Sequence, residues 1–229
     1  MNFPAHWFPL PWLLAADVLC LLLFVAALRP ALIAWRTHRQ AAWVGLLIMA
    51  LCWSLRAAPA GGMLGGLNYH LLGIGLLSLM IGIPAAFCLA VLLLLPYIWL
   101  WQGVGDLSVA GLTVLAGIVP PLAGVALARQ IVQRLPRNLF IYIFLNGFFA
   151  AAAGILLSAA ANGVLLYLTG VFPTSILLDS VLPVFFLIAW GEAFLTGLLC
   201  AIFIALKPHL ISTFSDADYL RQNARQIWK

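Results

Sequence analysis

Seven apolar stretches follow one another along the chain, separated by short polar or glycine- and proline-containing breaks. They run from Pro11 to Leu28, Gln40 to Leu55, Leu67 to Ile81, Pro84 to Trp101, Leu107 to Ala128, Asn138 to Leu168 and Val181 to Leu206. A helix that crosses a bilayer needs about 20 predominantly apolar residues. None of the stretches shows the strict alternation of a half-buried strand. The pattern therefore predicts an all-α fold, a polytopic membrane bundle of about seven transmembrane helices. A Gly82-Ile83-Pro84 turn joins the third stretch to the fourth, and the second stretch is short.

The sixth stretch is over-long. As one helix it would measure about 46 Å, well beyond the hydrocarbon core, so a break or emergence is expected near Asn162-Gly163. Its small residues Ala150, Gly154, Ser158 and Asn162 recur at every fourth position and form one stripe suited to close helix packing. In the fifth stretch Pro120-Pro121 removes two backbone donors, which predicts a kink. Such breaks also line cavities in some transporters.

Composition agrees with the pattern. Hydrophobic residues make up 66% of the chain and charged residues 7%, so a soluble fold would expose large apolar patches. The net charge is +5. The basic residues fall in clusters at the ends of the stretches, as topology signals do, rather than in a nucleic-acid-binding run. Arg29, Arg36 and Arg39 follow the first stretch. Arg129, Arg134 and Arg137 lie between the fifth and sixth. Lys207, Arg221, Arg225 and Lys229 follow the seventh, and only Arg56 falls outside. Seven crossings put all three clusters on one side, which places the N-terminus outside and the C-terminus in the cytoplasm. The first basic residue is Arg29, so there is no basic signal-peptide n-region, and the first stretch is expected to be retained. The expected organisation is a single integral membrane domain over 1–229: an external segment 1–10, a bundle 11–206 and a cytoplasmic tail 207–229. It leaves no room for a soluble ATPase.

Few polar residues enter the apolar stretches, and in a membrane each one is a functional hypothesis. Asp17 lies in the outer half of the first stretch. Asn68 and His70 open the third, just past the glycine-rich run Gly61-Gly62-Met63-Leu64-Gly65-Gly66. Asn146 and Asn162 lie in the sixth. Glu192 and Thr196 stand one helical turn apart in the seventh, where they serve either gating or packing. His70 has three readings: a satisfied core histidine, a metal ligand or a proton carrier. Cys20, Cys52, Cys88 and Cys200 are widely spaced in apolar surroundings and read as small buried residues. No nucleophile-elbow, zinc-protease or P-loop motif is present, so an enzyme is not expected.

The segment Gly191-Glu192-Ala193-Phe194-Leu195-Thr196-Gly197, running on to Lys207-Pro208, resembles the last span of CbiM-type proteins. These are the substrate-capturing membrane subunits of cobalt and nickel energy-coupling-factor (ECF) transporters. His70, followed by Gly73, Gly75 and Gly82-Ile83-Pro84, resembles the family's histidine-containing segment and the turn after it. The opening Met1-Asn2-Phe3 through Phe8-Pro9-Leu10-Pro11-Trp12 resembles its short external N-terminus. The likeness covers nearly the whole chain, is most specific at Glu192 and His70, and is closest to a divergent branch. It implies capture of Co²⁺ or Ni²⁺ as substrate from outside, with no resident cofactor. It also implies a coupling transmembrane subunit and separate ATPase subunits as partners, in the inner membrane of a bacterium. The small pair Ala27 and Ala31 would suit docking of a partner helix.

In the family the metal is held by the terminal amine, a histidine at the second position with its own backbone nitrogen, and the histidine matching His70. Here the terminal amine is that of Met1, and Asn2 stands at the second position. His6 is the nearest substitute, but Pro4 has no amide proton and interrupts a continuous chain of nitrogen ligands. The family's His-Gly-Gly segment before the fifth span is replaced by Gln102-Gly103-Val104-Gly105-Asp106-Leu107. The expected external pocket is therefore Met1, His6 and His70 toward a metal, with Asn2, Asn68 and Asp17 around them. Uptake of a small organic solute and a non-transporting membrane scaffold are the alternatives.

Overall fold

The computed structural model describes residues 2–57 and 67–219, apart from the side chain of Asp218. The glycine-rich run, Met1 and the basic residues Arg221, Arg225 and Lys229 lie outside the described residues. The chain folds as a helical bundle. Five helices are long and apolar enough to cross a membrane: α1 (Leu10–Thr37), α4 (Ile83–Trp101), α5 (Val104–Val132), α6 (Leu139–Leu168) and α7 (Thr174–Leu206). Two shorter helices, α2 (Arg39–Ser54) and α3 (Ile74–Ile81), complete the core. A last turn, α8 (Asp216–Tyr219), ends the described chain.

The third predicted stretch departs from a spanning helix. Its helical part is α3, eight residues long and so about 12 Å. Residues Tyr69–His70 (β2) are extended instead and pair antiparallel with Arg56–Ala57 (β1), Arg56 opposite His70. Gly73 ends this extended run at φ +65°, a left-handed conformation open to glycine at little cost. Every residue of α3 is buried. Beside it, α2 runs antiparallel: Gly45 lies against Leu77 and Met80, while Gly73 lies against Met49 and Cys52. Gly82, at φ +85°, turns the chain directly into α4.

Pro120-Pro121 does disturb α5, through a wide π-type stretch over Val114–Ile118. The Ala116 carbonyl would bond residue 120 in an α-helix and residue 121 in a π-helix, and neither proline has an N–H to give. Helix α6 supplies the missing donors. The Ser158 hydroxyl and the Asn162 amide each donate to Ala116 O at 3.0 Å. The break expected near Asn162-Gly163 is therefore absent: α6 continues unbroken to Leu168. Asn162 is fully buried in the bundle, where its amide also donates to Ser158 O at 2.6 Å. The irregular part of this element is the π-type stretch Tyr142–Phe149, at its other end.

The Ala150-Gly154-Ser158-Asn162 stripe is buried throughout. A Cβ on Gly154 would stand 2.9 Å from Pro121 Cα, and one on Gly124 would stand 2.8 Å from Gly154 Cα. The small pair on α1 also packs inward. Ala31 is buried, and Ala27 borders a crevice shared with Ile83 and Phe87 of α4 and Val119 of α5. All four cysteines are buried and free.

Gly154→Ala is expected to destabilise the protein in detergent by about 1–3 kcal/mol, the usual cost of overpacking. Gly163→Ala, where an added Cβ meets nothing within 4 Å, is expected to leave thermal unfolding unchanged or slightly raised. Equal melting temperatures for the two variants would contradict the close α5–α6 approach.

Candidate functional site

His70 lies where the β1–β2 pair meets the ends of α2 and α4. Its ring sits between Trp53 and Tyr97, with centroid separations of 5.1 and 5.2 Å. Only 6% of the residue is exposed. Its Nδ1 lies 3.0 Å from the Leu71 carbonyl oxygen. A carbonyl only accepts, so in the neutral ring the hydrogen sits on Nδ1 and Nε2 presents a lone pair. Histidines that ligate metals are oriented by the same kind of bond. Nε2 itself is buried and has no hydrogen-bond partner among the described residues.

The N-terminal segment closes over this place. Asn2 and Asn68 exchange both backbone hydrogen bonds, at 3.2 and 3.3 Å. That bridge brings position 2 beside the strand that carries His70. The Asn2 side chain is buried, and neither its amide nitrogen nor its amide oxygen has a partner among the described residues. The Tyr97 hydroxyl is likewise buried without a partner among them. Unsatisfied buried polar atoms are rare in native proteins. Several lie at this end of the bundle, as single atoms of Thr113, Asn146, Asn162 and Thr196 do elsewhere in it.

Gln102 and Asp106, at the junction of α4 and α5, anchor the N-terminal segment. Gln102 Nε2 donates to Phe3 O at 3.1 Å, and Ala5 N donates to Asp106 Oδ1 at 2.7 Å. The junction thus holds the N-terminal segment in position.

Glu192 does its work from the adjoining helix α7. Its two carboxylate oxygens accept from Leu72 N at 2.8 Å and Gly73 N at 2.7 Å. These are the two backbone donors just before α3, where negative charge also suits the helix dipole. One turn on, Thr196 packs its hydroxyl side against Gly75 of α3. Trp53 Nε1 donates to Leu72 O at 2.9 Å. The backbone after His70 is thereby held on both its donor and its acceptor sides.

The expected site residues divide accordingly. Asn2, Asn68 and His70 come together, and Glu192 supports the turn that follows them. His6 does not join them: it is exposed on the short 3₁₀ turn Ala5–Trp7, its ring against Trp7. Asp17 does not join them either. It is half-buried on α1 and accepts from Gly111 N of α5 at 2.9 Å. Met1 lies outside the described residues. No three His, Cys, Asp or Glu residues cluster as a metal-binding group among the described residues. Gln102 and Asp106 were marked in the sequence only as part of the segment that departs from the family's pattern. Trp53, Arg56 and Tyr97 lie at the site although sequence reasoning did not place them there. Arg56 alone carried a signal, as the basic residue that broke the topology rule.

Together the fold and the site define a multi-pass α-helical membrane protein with buried polar side chains, His70 and Asn2 among them, at one end of its bundle. The family model for the cobalt uptake substrate-specific transmembrane region, CbiM, matches residues 2–210. The chain belongs to this family of cobalt-transport components. No curated protein and no solved structure matches it.

Glu192→Ala leaves two buried backbone donors without an acceptor. The expected loss is about 1–3 kcal/mol for each unsatisfied donor, read as a lower unfolding midpoint in detergent. Glu192→Gln is expected to recover part of the loss, since its amide oxygen can serve only one of the two donors. A full recovery in Glu192→Gln would refute the two-donor arrangement.

Proposed function

We propose that this chain is the substrate-capturing membrane subunit of an ECF-type ABC transporter that takes up cobalt or nickel across a bacterial inner membrane. The observation that carries the reading is His70: a buried imidazole whose Nδ1 is fixed by a carbonyl and whose Nε2 is free, in a chain of the CbiM family. Neutral imidazole nitrogen suits both metals. The resemblance adds the terminal amine of Met1 as a second nitrogen ligand. The backbone bridge between Asn2 and Asn68 supports its placement, since it brings the start of the chain beside His70.

On this reading the chain crosses the membrane seven times, with its N-terminus outside. Helix α2 is about 24 Å long. With the extended Arg56–Ala57 after it, and the non-helical Leu67–Gly73 before α3, the two shorter elements complete crossings of a core of about 30 Å. The basic clusters then all face the cytoplasm, where the coupling membrane subunit and the ATPase subunits assemble. The chain itself is not an enzyme; its chemistry is ligand exchange at a site that opens outward.

A second reading has its own support. Both amide atoms of Asn2 are free, and a small organic solute would use them as a hydrogen-bonding pair. Equilibrium dialysis of the purified protein with Co²⁺ and Ni²⁺ separates the two. Wild type is expected to retain one metal ion per chain, and His70→Ala to bind at least about tenfold more weakly. Equal retention by both proteins, or retention by neither, would remove the metal site and favour the organic solute.

A further inference from the structure

The charge beside His70 is positive. Arg56 is the direct cross-strand partner of His70, and residues opposite each other in an antiparallel pair project from the same face. Its guanidinium lies over Trp101 at 4.1 Å from the ring centroid, and its Nη1 donates to Asn68 Oδ1 at 3.2 Å. Trp101 is one helical turn beyond Tyr97, the ring that packs on His70. Arg56 thus stands on the same face of the β pair as His70, beside Asn68 and Trp101.

Among the described residues, no carboxylate is shown in contact with the His70 ring: Asp106 accepts from Ala5 N, Glu192 spends both oxygens on Leu72 N and Gly73 N, and Asp179 is exposed at the start of α7. A bare divalent cation on Nε2 would have the Arg56 guanidinium on the same face of the β pair, and that repulsion is strengthened where water is excluded. A metal that brings its own anionic ligands meets the opposite situation. Arginine is the side chain best shaped for a carboxylate, which it can bind through two parallel hydrogen bonds.

We propose that the cargo is a divalent transition metal already held by a small carboxylate-bearing chelator, and that Arg56 selects it by binding a chelator carboxylate. One metal–water bond breaks, and a metal–nitrogen bond to His70 Nε2 forms in its place. The free donor and acceptor of the Asn2 amide take the remaining polar groups of the chelator. This inference rests on the metal reading above and narrows its substrate from an ion to a chelate.

Citrate serves as the probe. Equilibrium dialysis with ⁶³Ni²⁺ alone, ¹⁴C-citrate alone and the two together is run on wild type, Arg56→Gln, Arg56→Lys and His70→Ala. Wild type is expected to retain both labels in equal amounts from the mixture, at least tenfold more tightly than Ni²⁺ alone. Arg56→Gln is expected to lose that advantage and, relieved of the guanidinium's repulsion, to retain bare Ni²⁺ at least as tightly as wild type; an unchanged elution volume and circular-dichroism spectrum show that its fold is intact. Arg56→Lys is expected to recover part of the advantage. Retention from the mixture of Ni²⁺ unaccompanied by citrate, dependent on His70, would overturn the chelate while leaving the metal reading in place. Equal binding of the chelate by wild type and Arg56→Gln would overturn the role of Arg56. Retention of no metal in any form would overturn both readings.

Discussion

The grip of Glu192 on the backbone of Leu72 and Gly73 organises the rest of the molecule. A buried carboxylate is costly unless its lone pairs are satisfied, and backbone donors outside a regular helix are costly in lipid for the same reason. Each group resolves the other's deficit. The extended run before α3 can therefore lie at depth within the bundle, although it is not helical. His70 sits at the head of that run, so the residue aimed into the pocket is held by a bond made from a different helix. At the far end of α3 the chain after α7 returns to it. Ser212 N donates to Met80 O, and both Thr213 N and Thr213 Oγ1 donate to Leu79 O. Helix α3 is thus clamped at both ends by the one segment that runs from α7 into the tail.

The same rule accounts for the other half of the bundle. Two prolines leave the Ala116 carbonyl without a donor along its own helix, and Ser158 and Asn162 supply donors from the next. The contact is possible because Gly124 and Gly154 bring the two backbones close together. At Ala116 and before α3, irregular backbone is satisfied by side chains of a neighbouring helix. Asp17 on Gly111 N is a third instance. The intramembrane polar residues are in large part completions of a neighbour's hydrogen bonding.

The pocket stands out because it departs from that economy of bonds. His70 Nε2, the Tyr97 hydroxyl and both amide atoms of Asn2 are buried yet unpartnered. Thr113 Oγ1, Asn146 Oδ1, Asn162 Oδ1 and Thr196 Oγ1 are also buried without a partner among the described residues, but at the His70 end such groups stand beside a backbone fixed by Trp53, Gln102 and Asp106. Asn2 contributes a buried donor–acceptor pair. Arg56 adds a charge of the wrong sign for a bare cation.

Much of this was legible in the sequence. The run of apolar stretches determined an all-helical membrane bundle, because a chain with so few charges has no other way to satisfy its backbone. Five of the seven stretches contain helices long enough to cross, and the small-residue stripe of α6 packs as its spacing indicated. Asn68 and His70 were marked by the rarity of polar groups in apolar surroundings. The tertiary structure decided what local pattern does not encode. The stretch from Leu67 to Ile81 is as apolar as a spanning helix, yet half of it is extended, because its donors are met by Glu192 from a helix far along the chain. Asn162 marked an expected break and instead completes a neighbour's carbonyl. Tyr97, Gln102 and Arg56 reach the pocket only through folding, since periodicity reports which face of a helix is apolar and says nothing of which distant group a polar residue will meet.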